Sequence, residues 1–340
     1  MIEVKPEPVR LRDFTTMRVG GPAQMTYADD AEALINAVAA ADNAGSPVLL
    51  VGGGSNLVIA DAGWAGTTIR IGLRGIAAEH DDDTVLVDVA AGEPWDDFVA
   101  QCVDNGWSGV ECLSGIPGLT GATPIQNVGA YGAETADVLV NVDVWDRQGF
   151  DVGVLAARSC EFAYRTSVFK GSSRYVVLGV RLALVRSPLS APIRYAELAR
   201  TLGVEVGDRA PLKAVREAVL SLRSGKGMVL DVDDHDTWSA GSFFTNPIIE
   251  AHRVPEHAPS WPSGDLVKTS AAWLIEHAGF VKGFGNERAA LSTKHTLALT
   301  NRGGAATEDI LALARTIRDG VLLEFGIELR PEPLLIGCAL

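Results

Sequence analysis

Two glycine-rich loops carry the strongest chemical signal in the chain. The segment 115–132, GIPGLTGATPIQNVGAYG, holds five glycines and two prolines in eighteen residues, and no charge. Glycine lets main-chain N–H groups approach a ligand with no Cβ in the way, and proline stiffens the loop so that little entropy is lost on binding. Such a backbone suits a flat, polar ligand; a run of ordinary tight turns is the plainer reading. The second loop, VGGGSN at 51–56, directly follows the apolar run 48–51. It is neither of the common phosphate loops. Leu57 stands where G-x-G-x-x-G needs its third glycine, and the GKG at 225–227 has Gly227 where a P-loop needs Ser or Thr. Its amides can still form an anion nest. Together the loops suggest one large phosphorylated cofactor held at two places.

Three side chains elsewhere have groups suited to catalysis. Arg165 in YRTSVFK (164–170) offers a planar fork for a carboxylate, or a structural ion pair in an acidic protein. Glu332 lies between two prolines in a stiff, extended segment, either facing a ligand or solvated in a turn. Ser242 in AGSFFTNP (240–247) is flanked by small residues and two aromatics. That leaves its hydroxyl open to a ligand in a dry pocket, or makes it an ordinary turn or strand residue. The pair Lys294-His295 could face an anion, or contain a structural histidine. His80, His252 and His257 fall in polar loops and suggest nothing.

The elements that must position these groups follow from periodicity. Residues 31–44 read as an Ala-rich helix stopped by Gly45, followed by strands at 48–51 and 67–71, a compact βαβ-like opening that ends near Leu73. A strand is expected at 84–90 and a helix from Glu93-Pro94 to Asn105, with Gly106 as its stop. Strands follow at 138–145 and 175–184, a break at 186–192, and a helix at 212–223. Beyond Gly225 glycine thins out and Trp238, Trp261 and Trp273 appear. The order there reads β, α, β, α: a strand at 240–244, a helix at 270–277, a strand at 297–300 and a long helix at 308–325. In the last, Ile310, Leu313, Ala314, Ile317, Val321 and Phe325 form one apolar stripe, which is core.

At 340 residues, two or three domains are expected. A hydrophobic share of 47% and a charged share of 21% are those of a soluble globular protein. The net charge of −14 argues against nucleic acid or an anionic membrane surface as partner. If the ligands are nucleotides, a few cations must be concentrated at the site. The four cysteines, at 102, 112, 160 and 338, have no metal-ligand spacing and read as small buried residues of a reducing cytosol. The N-terminal stretch 1–13 lacks the apolar core of a signal sequence, and no apolar run approaches the ~18 residues of a membrane span. The expectation is a cytoplasmic α/β-rich chain.

VGGGSN, the 115–132 segment, YRTSVFK, AGSFFTNP and RPEP (330–333), in that order, resemble the family of UDP-N-acetylenolpyruvoylglucosamine reductases (MurB), flavoenzymes that make UDP-N-acetylmuramate for bacterial cell walls. The resemblance runs from TTMRVGGPA (15–23) to the C-terminus. The central motif and AGSFFTNP are highly specific, YRTSVFK is less so, and RPEP has meaning only in company. Tyr195 in RYAEL (194–198) matches the family type with an extra tyrosine loop, whereas the stretch 227–241 is longer than the family pattern.

The resemblance implies an α+β fold: a two-part FAD-binding region of the vanillyl-alcohol-oxidase-like (PCMH-type) fold and a C-terminal α/β substrate-binding domain. The parts are expected at 1–73, with 331–340 returning to it, at 74–225 and at 226–330. FAD is expected without a covalent bond, and NADPH as hydride donor. Flavin contacts are implied for Gly52, Gly53, Gly54, Ser55, Asn56 and Leu57 in the first loop. In and before the second they are implied for Ser114, Gly115, Ile116, Pro117, Gly118, Gly121 and Ala122, then for Gln126, Asn127, Gly129, Ala130 and Tyr131. Reducing an enol ether beside a carboxylate leaves negative charge that spreads into an enediolate. The protein must stabilise that charge and give carbon a proton. Arg165, Glu332 and Ser242 match the family positions for this, with Ser242 as proton donor and Glu332 a protonated acid. Tyr195 and Lys226 are implied for the substrate pyrophosphate, and Asn246 for substrate or the nicotinamide phosphates. The expected partners are a UDP-sugar and NADPH, with no metal, nucleic acid or membrane, and the chain is expected to act as a monomer.

Two other readings compete. An FAD-dependent sugar or alcohol oxidase of the same fold would keep the loops, but the first histidine is His80 and the first cysteine Cys102, so nothing in VGGGSN could tether a flavin. A non-catalytic nucleotide-sugar binder would leave Ser242, Arg165 and Glu332 unexplained.

Overall fold

Strand Thr84–Ala90 buries Val85, Val87 and Val89 and leaves the residues between them partly exposed, the alternation of a sheet with one face in a core. In the computed structural model, which describes residues 6–340, it belongs to an antiparallel sheet ordered Asp151–Ala156, Leu139–Asp146, Tyr175–Arg186, Thr84–Ala90 and Ile76–Asp81. Residues 1–5 lie outside the described residues, and with them the start of the stretch read as lacking a signal sequence and of the 1–73 part. Helix Trp95–Asn105 covers one face of the sheet with Trp95, Phe98, Val99 and Cys102. Gly106 in the left-handed region ends this helix, as expected. Val176 and Leu178 turn the other way, into a core shared with Leu34, Val38 and Ile69. Those residues belong to the opening βαβ: helix Ala31–Asn43, capped by Asp30, and three parallel strands ordered Pro22–Ala28, Thr67–Ile71, Val48–Val51.

These elements make up a compact unit of Gln24–Gly53 and Gly66–Ser224; a second consists of Pro8–Ala23, Gly54–Ala65 and Gly225–Leu340. The expected 1–73 part is therefore divided between units. Met17, Val19 and Val58 join the core of the second, and strand Leu57–Ile59 pairs in parallel with Leu334–Ile336. That core is built on helix Thr307–Phe325, whose predicted stripe is buried at Ile310, Leu313, Ala314, Ile317 and Val321.

The β, α, β, α reading of this unit needs correction. Residues 240–244 form no strand. Gly241 sits at φ +71°, and Phe243 and Phe244 both enter one core with ring centroids 5.1 Å apart, whereas successive strand residues face opposite ways. The strands present are short antiparallel sets: Ile248–Ile249, Leu266–Thr269 and Ser260–Ser263, then Ala289–Leu291 with Leu299–Asn301. His80 also departs from expectation, lying in strand Ile76–Asp81 against the Trp107 ring. Cys102, Cys112 and Cys160 are buried free thiols and Cys338 is only partly buried. Burial pushes the Cys112 thiol up to about 12.

The long 227–241 stretch is knit to the second unit by Asp236. Its buried carboxylate accepts from the Thr293 N–H (3.0 Å), the Thr293 hydroxyl (2.9 Å), the Ser292 hydroxyl (3.0 Å) and Arg302 Nη1 (2.8 Å). Burial pushes this carboxyl up, but the four donors outweigh it and hold it below the ordinary carboxylate range. A carboxyl held low in the fold contributes stability above its unfolded pKa and loses it as pH falls through the folded value. Asp236→Asn is therefore expected to destabilise the protein by about 1–3 kcal/mol at neutral pH. The gap between variant and parent should shrink in acid. Denaturant titrations across pH check this, and a gap that does not change with pH would be the wrong outcome.

Candidate functional site

In the first unit the two glycine loops meet backbone to backbone. A Cβ on Gly53 would lie 2.5 Å from the Cα of Gly118, a distance real Cβ atoms do not adopt, and Gly118 itself sits at φ +123°. Gly52 has Leu119 as its nearest side chain. The second loop is fastened to the sheet and its helix by backbone bonds: Trp95 N–H to Gly118 O (3.1 Å), Thr120 N–H to Glu93 O (2.8 Å) and Gly121 N–H to Ala91 O (2.9 Å). Ser114 is buried with its hydroxyl on Glu111 O (2.7 Å), so this side chain is used in holding its own turn. The result is backbone with no side chain at Gly52, Gly53 and Gly118, which fits a flavin dinucleotide: peptide groups there can approach its diphosphate, where side chains would intervene.

Further along, Asn127, Tyr131 and Arg165 all have positive φ, at 46°, 51° and 54°. Such backbone costs about 1–3 kcal/mol per residue and persists where neighbours over-determine it. Asn127 is 1% exposed; its amide donates to Glu134 Oε2 (2.7 Å) and its side-chain oxygen accepts from Ala136 N–H (3.0 Å). The side chain of Asn127 is thus engaged within the protein, and its N–H donates to Pro124 O (3.4 Å). Arg165, half-buried beside the Tyr164 ring, donates to Gly129 O (2.7 Å) and Asn127 O (3.4 Å). The motif arginine and the central loop are therefore one assembly. Tyr131 meets Tyr195 edge-on at 5.5 Å, and a Cβ on Gly132 would lie 2.8 Å from the Cβ of Arg194. Hence RYAEL packs on the end of the central loop. Burial pushes the Tyr131 hydroxyl up to about 12, against the pull of Arg223.

Arg223 went unnoticed in the sequence. It is 9% exposed, donates through Nε to Gly115 O (3.2 Å), and burial draws its guanidinium below the ordinary value while Tyr131 and Asp96 oppose that. The available signal was its register: Val215 and Val219 are the buried face of helix Leu212–Gly225, and Arg223 continues that i+4 series.

In the second unit AGSFFTNP lies beside RPEP. The Glu332 N–H donates to Phe243 O (2.8 Å), Thr245 N–H to Arg330 O (3.1 Å), and Phe244 bridges Pro331. This brings Ser242 and Glu332, both half-buried, onto adjacent segments. Asn56 joins them: its side-chain N–H donates to Glu332 O (3.5 Å), and its carbonyl accepts from Leu334 N–H (2.9 Å). Gly54, Ser55 and Leu57 lie in this unit too, and a Cβ on Gly54 would fall 1.8 Å from Phe14 O. Asn246 accepts from Ala271 N–H (2.9 Å) at the start of helix Ala271–His277, so its oxygen serves as a cap. Lys226 is half-buried. Lys294 pairs with Asp234 at 2.6 Å. Among the described residues, no group of three or more His, Cys, Asp or Glu could hold a metal ion.

Two glycine loops meeting on an α+β frame in the first unit, and a serine segment paired with an acid segment in the second, are the features of a flavin-binding oxidoreductase. A family model described as "FAD binding domain" matches residues 22–150, and one described as "UDP-N-acetylenolpyruvoylglucosamine reductase, C-terminal domain" matches residues 233–336. Enzymes named UDP-N-acetylenolpyruvoylglucosamine reductase from Thermobifida fusca and Salinispora arenicola are 57% and 54% identical to the chain. The first alignment covers 98% of both chains, the second 97% of this chain and 95% of the relative. The solved structure of the Thermus caldophilus enzyme (MurB) is 26% identical, with a TM-score of 0.69 over 98% of this chain and 99% of its own. The chain belongs to the UDP-N-acetylenolpyruvoylglucosamine reductase family.

The Gly53–Gly118 contact yields a direct test. Gly53→Ala sets Cβ against backbone that cannot yield without moving the loop, a cost of about 1–3 kcal/mol. The purified variant should lose flavin on gel filtration, whereas Gly304→Ala, with open space around it, should keep its full complement. Equal flavin content in the two variants would show that the loop contact does not shape the cofactor site.

Proposed function

We propose that this chain reduces the enolpyruvyl group of UDP-N-acetylglucosamine enolpyruvate to UDP-N-acetylmuramate, in peptidoglycan precursor synthesis. When bound, FAD supplies the hydride, which NADPH donates to it. The chain's own residues do the rest. The main-chain surface of the glycine loops holds the cofactor without a covalent bond. Arg165, oriented by the carbonyls of Asn127 and Gly129, stabilises the substrate carboxylate as charge spreads into the enediolate. Glu332, as a protonated acid, donates to that carboxylate. Ser242 delivers the proton to carbon. Lys226 and Tyr195 bind the pyrophosphate, and the amide of Asn246 is left to a phosphate because its oxygen caps a helix.

The observation that best supports these roles is the bond from Glu332 N–H to Phe243 O, which sets the acid segment beside the serine segment. The oxidase alternative gives neither segment a task. In the finer reading the chain acts as a monomer in the cytoplasm. Light scattering tests the first point.

Three outcomes are expected. The protein should be yellow, and denaturation followed by filtration should release all of its flavin; colour left on the precipitate would contradict the non-covalent assignment. Lys226→Ala should weaken UDP-sugar binding by about 1–3 kcal/mol and leave flavin content alone. An unchanged affinity would remove Lys226 from the pyrophosphate site. Ser242→Ala should leave flavin reduction by NADPH within a few-fold of normal and slow reoxidation by the enolpyruvyl substrate about 10²–10⁴-fold. Ser242→Cys should keep part of the activity, since a thiol can donate a proton from nearly the same place. Stopped-flow traces of the two half-reactions decide between a proton donor and a packing residue, for which Ala would be harmless.

A further inference from the structure

Gly115, the first residue of the central motif, is held at both ends of its peptide by side chains from two helices. Its N–H donates to Asp96 Oδ1 (2.5 Å), from the first turn of Trp95–Asn105, and its carbonyl accepts from Arg223 Nε (3.2 Å), near the end of Leu212–Gly225. Asp96 is itself gripped by Arg216 of that second helix, through Nη1 to Oδ1 (2.6 Å) and Nη2 to Oδ2 (2.9 Å). Parallel two-point pairing of this kind fixes angle as well as distance. Gly115 sits at φ +70°, and three residues on comes Gly118, the residue against which Gly53 packs. Neither Asp96 nor Arg216 belongs to the motifs that mark the family.

We infer that the Asp96–Arg216 pair is a positioning device for the flavin loop, setting the angle at which the peptides of 115–118 are presented to the cofactor. This rests on the FAD-binding reading of that loop. The charge accounting agrees with it. Burial disfavours the Asp96 carboxylate, yet the Arg216 bonds, the Gly115 N–H and nearby Arg223 outweigh burial and hold it below the ordinary range. Arg216 is 17% exposed and Asp96 35%, so solvent only partly screens the pair. An ordinary surface pair contributes little, because two flexible chains must be ordered for a screened attraction. Here the ordering is shared with a backbone N–H, so the carboxylate's geometry is passed directly to the loop. Gly115 lies outside the strands of the described residues, and the clamp supplies the constraint that a ladder would otherwise supply.

The test uses the full chain, stripped of flavin and titrated with FAD while fluorescence quenching and the visible spectrum are followed. Asp96→Asn keeps the shape, removes the charge, and should raise the FAD Kd about 10- to 100-fold, with a shifted flavin spectrum. Arg216→Met should do the same. The double variant should be no worse than either single one, because the two act as a unit. Asp96→Glu should recover part of the loss. Apoprotein unfolding is measured in parallel: a pair that merely stabilises the fold would lower the apoprotein midpoint and leave Kd and spectrum of the folded fraction unchanged, which overturns the inference. If Asp96→Asn does not fold, Arg216→Lys decides, since it keeps the charge and loses the two-point grip; a parental Kd and spectrum there count against the proposal. Failure of the parent itself to bind FAD would strike the flavin reading, not the clamp.

Discussion

The contact on which the cofactor region depends is between two residues with no side chains. Gly53 and Gly118 approach so closely that any Cβ on Gly53 would lie 2.5 Å from the partner's Cα. A contact of bare peptides contributes little apolar burial, so it cannot hold itself together; the elements around it must. Strand Val48–Val51 delivers Gly53 from a parallel sheet. The second loop is delivered by bonds to Glu93, Ala91 and Trp95 at the start of a helix. The parallel sheet and helix Trp95–Asn105 with the residues before it form the frame that keeps two weakly attracting backbones in register. Side chains normally keep backbones further apart, and the frame is what lets these two come so close.

Strain has a similar distribution. Asn127, Tyr131 and Arg165 each occupy left-handed backbone, which asparagine enters more readily than most residues and which tyrosine and arginine enter rarely. What holds the backbone there is visible at Asn127, whose side chain is spent on Glu134 and Ala136, and at Arg165, whose guanidinium is tied to the carbonyls of Asn127 and Gly129. One strained residue thus fixes another. A side chain fixed this way has lost its rotamer freedom before substrate arrives, so binding need not supply that entropy.

Much of this was legible in the sequence, for a consistent reason. Helices 31–43, 95–105 and 307–325 and the strands around 48–51, 84–90 and 175–186 show local periods, and local period is what burial on one face imposes. Motifs mark the loops because glycine and proline are needed where they stand. What escaped is what depends on distant partners. Leu57–Ile59 pairs with Leu334–Ile336 across most of the chain, which is why 54–65 left its expected part. The apparent strand at 240–244 has strand composition, yet Gly241 turns the chain and sends both phenylalanines into one core. Arg223 and Asp96 look like surface charges because sequence alone does not show that a carbonyl and an amide of Gly115 wait for them.

That failed strand bears on the chemistry assigned to Ser242. A serine hydroxyl is a weak acid, so its worth as a proton donor lies in position more than in pKa. Within a ladder, Ser242 would share its face with Phe244, and its backbone would be committed on one edge or both. As folded, Phe243 and Phe244 anchor the segment in the core, while Phe243 bonds through its N–H to Leu297 O (2.7 Å) and through its carbonyl to Glu332 N–H (2.8 Å). The residue next to Ser242 is therefore pinned from two directions, and Gly241 on the other side, at φ +71°, turns the chain away. The backbone on both sides of Ser242 is thereby set, and with it the point from which the hydroxyl leaves the chain. In the role proposed for Ser242, a weak acid that meets one carbon atom, a fixed point of attachment is the useful property.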